Sequence, residues 1–92
     1  MKTIVVAIEN KNSLSPTDWL KYSTQVDFIL FEHAKIRLTT YTRLGFSAVS
    51  WIVDCDDSKV SSMKDEIRLA CKFYGQDSTF WMEGTAEEIR SR

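Results

Sequence analysis

The spacing of hydrophobic and polar positions changes several times along this chain, and each change marks an element. Residues 3–9 (Thr-Ile-Val-Val-Ala-Ile-Glu) are dense in β-branched side chains and predict a strand. The polar stretch Asn10 to Ser13 predicts a loop. Ser15 then fits a helix N-cap, Pro16 the first helical position, and Asp18 the acidic first turn that complements the positive helix end. Apolar residues at Trp19, Leu20, Val26, Ile29, Leu30 and Ala34 follow with helical spacing. Phe28-Ile29-Leu30-Phe31 also reads as a strand, which leaves the end of this helix open.

From Lys35 the period switches to two. Ile36, Leu38, Thr40 and Thr42 fall on one side, with Arg37, Thr39, Tyr41 and Arg43 on the other. Leu44-Gly45 is a turn signal. Phe46 to Val53 predicts the next strand, with Ala48, Ser50 and Ile52 set against Val49, Trp51 and Val53, and the polar run Asp54 to Ser58 closes it. Asp56 or Asp57 then caps a second helix. Val60, Met63, Ile67, Ala70, Cys71 and Tyr74 form its apolar stripe, opposite Lys59, Lys64, Asp65, Arg68 and Lys72. Gly75 supplies a left-handed C-cap. Ser78 to Glu83 predicts a short strand, and Thr85-Ala86-Glu87-Glu88 a closing helical turn. The order is βαββαβ in one domain over 1–92. It predicts an α+β, ferredoxin-like fold, with a four-stranded antiparallel sheet, two helices on one face and a short C-terminal helical turn.

Such a fold leaves one sheet face open. If Phe46, Ala48, Ile52, Phe80 and Met82 face the helices, the open face carries Tyr41, Val49, Trp51, Val53 and Trp81. The reverse assignment exposes Phe46, Phe80 and Met82 instead. Both sets hold large apolar side chains, so something should cover the second face. A loop, the C-terminal turn, a second copy or another macromolecule could do so. Trp, Tyr and Arg are the usual anchors of such contacts. The expected partner-binding residues are therefore Arg37, Tyr41, Arg43, Trp51 and Trp81.

Composition narrows the chemistry. Twelve Lys and Arg against thirteen Asp and Glu give a net charge of −1, which argues against a general nucleic-acid binder. The apolar run Ile4 to Ile8 is too short for an export signal or a membrane span. Without an export signal, Cys55 and Cys71 are expected as free thiols in the cytoplasm. There is no CxxC, and His33 is the only histidine, so no Cys/His zinc set, metal or cofactor is expected. Gly45 to Trp51 is similar to the longer signature of RNA-recognition domains, but Ala48 stands where a second stacking aromatic is needed. Asp54, Asp56 and Asp57 could hold Mg²⁺, yet capping the second helix accounts for them without a metal. The same acids should raise the Cys55 pKa, and Cys71 belongs to the buried stripe. His33 beside Glu32 lacks a nucleophile, and Ser61 and Ser62 lack an elbow motif. No catalytic residues are assigned.

The stretch Leu69-Ala70-Cys71-Lys72-Phe73-Tyr74-Gly75-Gln76-Asp77-Ser78-Thr79-Phe80-Trp81 resembles the closing segment of small uncharacterised bacterial and phage proteins. There a helix ends in an aromatic-Gly-Gln-Asp/Asn-Ser/Ala pattern that leads into a hydrophobic strand. The larger bacterial form has a Trp-Asn-Pro segment where this chain has Trp51-Ile52-Val53. The resemblance implies a phage or mobile-element setting and no catalytic residues. The expected function is a non-enzymatic protein-binding module, a phage accessory or counter-defence protein that binds a host protein, or a homodimer through the open sheet face. A module for RNA or single-stranded nucleic acid on the same face is the alternative.

Overall fold

A computed structural model of the chain describes residues 1–11, 13–41 and 48–84. Ser15 starts the first helix as expected. Its Oγ accepts from the Asp18 backbone N–H at 3.1 Å, and Pro16 follows it in the first helical turn. Helix α1 (Pro16–His33) continues through Phe28–Phe31, which decides the open choice between helix and strand. The physical reason is the stripe itself. Trp19, Tyr22, Val26, Ile29 and Leu30 are its buried residues, with Tyr22 in the place expected for Leu20, which is 65% exposed, and ending the helix at Asp27 would remove the last two from the core. Helix α2 (Asp57–Phe73) buries Val60, Met63, Ile67, Ala70 and Cys71, the same relative positions along a second stripe. It closes as a Schellman motif. Gly75 takes φ +67°, its N–H bonds to Lys72 O, and the Gln76 N–H bonds to Cys71 O.

Four antiparallel strands, β1 (Lys2–Glu9), β2 (Ala34–Tyr41), β3 (Ala48–Cys55) and β4 (Phe80–Gly84), lie in the order β2-β3-β1-β4. This is the ferredoxin-like α+β arrangement that the element order predicts. Strand β2 follows α1 with no intervening loop. The core lies between the two helical stripes and one sheet face, where Ile4, Val6, Ile8, Val49, Trp51, Val53 and Cys55 are each at most 3% exposed. The single buried polar residue among those described, Gln76, joins two loops. Its side chain accepts from the Lys11 N–H and donates to Tyr74 O.

Three expectations about the sheet need correction. Strand β3 does not stop at Val53 but runs through Asp54 and Cys55. Strand β2 does not alternate evenly. A bulge between Ile36 and Leu38 leaves Arg37 without a cross-strand partner, so Ile36 pairs with Val53 on the helix side and Leu38 with Ile52 on the open side. Third, Val49, Trp51, Val53 and Trp81 do share one face with Tyr41, but that face lies under the helices. Leu44-Gly45, Phe46, Arg43 and the helical turn expected at Thr85–Glu88 lie outside the described residues.

Candidate functional site

The open face of the sheet is built from the alternate residues that the helices do not cover. Its central row crosses all four strands. Leu38 pairs with Ile52, Ile52 with Val5, and Val5 with Met82. Side chains directly opposite one another on neighbouring strands touch, so these four make a continuous aliphatic band. The next row, Thr40, Ser50, Ala7 and Phe80, widens the band at the β4 edge. Leu38, Phe80 and Met82 are each more than half exposed. At the other end the face turns polar. Asp54 accepts from Thr3 Oγ1 at 2.9 Å and pairs with the Arg37 guanidinium at 3.6 Å.

The expected partner-binding residues are thereby dispersed. Trp51 is 1% exposed, and its indole N–H donates to Asp27 on α1 at 2.9 Å, so it is a core anchor and cannot touch a partner. Trp81 is also on the helix side. Its indole N–H donates to Glu83 at 2.9 Å, and the Lys64 ammonium lies 5.4 Å from its ring centroid. That hydrogen bond, together with the one from Lys2, holds the Glu83 carboxyl below the ordinary carboxylate value. Tyr41 is exposed but faces the helix side of the sheet edge. There it borders an apolar cavity of about 420 Å³ with Trp19, Leu14, Pro16 and Val49. Of the expected set, Arg37 alone reaches the open face among the described residues.

Residues on the open face that sequence reasoning did not choose are Val5, Leu38, Ile52, Phe80 and Met82. The signal for them was present in β3. Extending the strand to Cys55 makes one alternating set Val, Trp, Val, Cys and the other Ala, Ser, Ile, Asp. Only the first is free of polar members, so only the first suits the core.

The acidic run is divided among three tasks. Asp54 serves the open face, Asp56 occupies the α2 N-cap position without the expected side-chain capping hydrogen bond, and Asp57 pairs with the N-terminal amine at 3.4 Å. The Cys55 thiol is pushed up, first by burial and then by Asp56. Cys55 and Cys71 are both buried and unpaired. His33 meets Glu66 of α2, with Glu32 close by. Sequence reasoning had paired His33 with Glu32 alone, because Glu66 is distant in the chain.

Solved structures of similar fold include the following two. An uncharacterised NIPSNAP domain protein from Burkholderia xenovorans superposes with a TM-score of 0.60 at 11% identity, over 100% of both chains. A dimeric ferredoxin-like protein of unknown function from Thermobifida fusca superposes with a TM-score of 0.61 at 11% identity, over 94% of this chain and 92% of that one. No protein-family profile and no curated protein matches the sequence.

Proposed function

We propose that this chain is a non-enzymatic protein-binding module that works through its open sheet face, and that a second copy of itself is the first occupant. The observation that carries the proposal is the aliphatic row Leu38, Ile52, Val5 and Met82, which crosses the full width of the sheet with both ends more than half exposed and Ile52 and Val5 part-buried between them. A monomer that kept this row in water would lose the stabilisation that burial brings, roughly 25 cal/mol per Å² of apolar surface. Two such faces related by a two-fold axis would present the same band to each other, which is the self-complementarity a symmetric dimer needs. The dimeric Thermobifida fusca protein, alike in fold, lends support.

Aliphatic side chains supply contact area and no reactive group, which favours binding over catalysis. They also favour protein over nucleic acid, because bases stack on aromatic rings. On the open face of the central strands β1 and β3, the described residues are Thr3, Val5, Ala7, Ser50, Ile52 and their neighbours, without an aromatic. A host-protein partner of a phage or mobile-element accessory would use the same band. No helix of the described residues is long and apolar enough to cross a membrane. The two unpaired cysteines support a cytoplasmic setting.

Light scattering coupled to size-exclusion chromatography tests this. The expected mass is about twice the 10.7 kDa of the chain. Ile52→Lys or Met82→Lys should give the single-chain mass with the fold retained by circular dichroism. Phe31→Lys, on the exposed side of α1, should leave the dimer intact. A wild-type chain that stays monomeric at every concentration would overturn self-association. Capture of a host protein that survives Ile52→Lys would remove the face from the binding role.

A further inference from the structure

We infer that Glu32, His33 and Glu66 form a binding site for a divalent transition cation of the zinc class. The site is separate from the sheet face and stands whether or not that face binds a partner. Helix α1 ends at His33, which puts Glu32 and His33 in its last turn, and Glu66 lies mid-way along α2. The two helices pack side by side, and His33 Nε2 meets Glu66 Oε2. One donor atom from each of the three residues lies within 4.8 Å of the other two. A zinc ion with bonds of about 2.0–2.2 Å spans donors roughly 4 Å apart at most, so a small side-chain rotation closes the set.

The donor chemistry selects the class of ion. An imidazole nitrogen with two carboxylate oxygens suits zinc and its first-row neighbours, whereas calcium and magnesium take oxygen ligands. The electrostatics agree. Two carboxylates converge beside the negative end of the α1 dipole. Among the described residues, neither carboxylate pairs with a lysine or arginine. The His33 carbonyl accepts from the Cys55 thiol at 3.5 Å, which ties the end of α1 to β3. Three protein donors leave the fourth tetrahedral position to water, so the site is open. Glu32 and His33 also border an adjoining cleft together with Lys35, Lys59, Asp54 and Asp56.

The test uses the full, untagged chain titrated with CoCl₂ and ZnCl₂. One equivalent of Co²⁺ should give visible d–d bands without a thiolate charge-transfer band, and Zn²⁺ should raise the melting temperature. His33→Ala should weaken Zn²⁺ binding at least about tenfold in calorimetry. Glu32→Gln, at an exposed position, should also weaken binding while leaving the metal-free melting temperature unchanged, which separates ligand loss from misfolding. Three results would each overturn the assignment: no binding, binding in both variants as strong as in the wild type, or a thiolate band that assigns the metal to cysteine.

Discussion

The two faces of the sheet are built from the same strands and are both apolar, yet one is core and the other is open. On the covered face Ile4, Val6, Ile8, Val49, Trp51, Val53 and Cys55 meet the two helical stripes. On the open face Val5, Ala7 and Ile52 stand between Leu38 and Met82 at the sheet edges, with Ser50, Thr3 and Asp54 among them. Apolar content alone does not separate them. What separates them is bulk and the absence of polar interruption, because the core penalises each unpaired polar group and favours the set that fills volume. Trp51 adds a polar anchor that the open face lacks, its indole N–H donating to Asp27 of α1.

The largest effect should come from breaking the covered face at its bulkiest residue. Trp51→Ala removes a side chain that is 1% exposed and should cost about 3–5 kcal/mol in denaturant unfolding. Ile52→Ala, one residue along and on the opposite face, should cost about 1 kcal/mol when both are measured in a Met82→Lys background. Equal losses at the two positions would erase the distinction between the faces.

A smaller effect follows from pH. Burial pushes the Tyr22 phenol up to about 12, with the hydrogen bond to Thr79 opposing it more weakly. Its folded value lies above the unfolded value near 10, so the folded state holds the phenol proton more tightly. That stability is complete below about pH 10 and is lost as pH rises towards 12, a change on the order of 2 kcal/mol. Unfolding measured across that window should show the fall, and Tyr22→Phe should flatten it.

The smallest effect belongs to the turn that brings α2 off the core. At Gly75 φ is +67° and a Cβ would meet nothing within 4 Å, so Gly75→Ala meets backbone strain and no clash. The expected loss is about 1 kcal/mol in thermal unfolding, with the sheet face and its assembly unchanged. Loss of assembly in this variant would show that the helical layer and the open face are coupled.

Much of the fold was legible in local pattern. Ser15-Pro16 with Asp18 announced α1, Gly75 announced the end of α2, and the α2 stripe from Val60 to Cys71 was read residue for residue. The candidate site was less legible. Period-two alternation correctly grouped Tyr41, Val49, Trp51, Val53 and Trp81, but alternation has no sign, and which set faces the helices is not written in the period. The bulge at Arg37 reversed the phase of β2 midway, so Ile36 and Leu38, grouped together by sequence, point to opposite faces. His33 gained its main partner from α2, 33 positions away.

The sequence by itself determined the order βαββαβ, the α1 N-cap, the α2 C-cap and the buried α2 stripe, because these rest on contacts within a few residues; its α1 stripe took in the exposed Leu20 and missed the buried Tyr22. Tertiary structure alone decided that Trp51 is a core anchor, that the open band runs from Leu38 through Ile52 and Val5 to Met82, and that Glu32, His33 and Glu66 converge. Each of those depends on strand register and helix placement, which are fixed only when distant segments compete to bury the same surface.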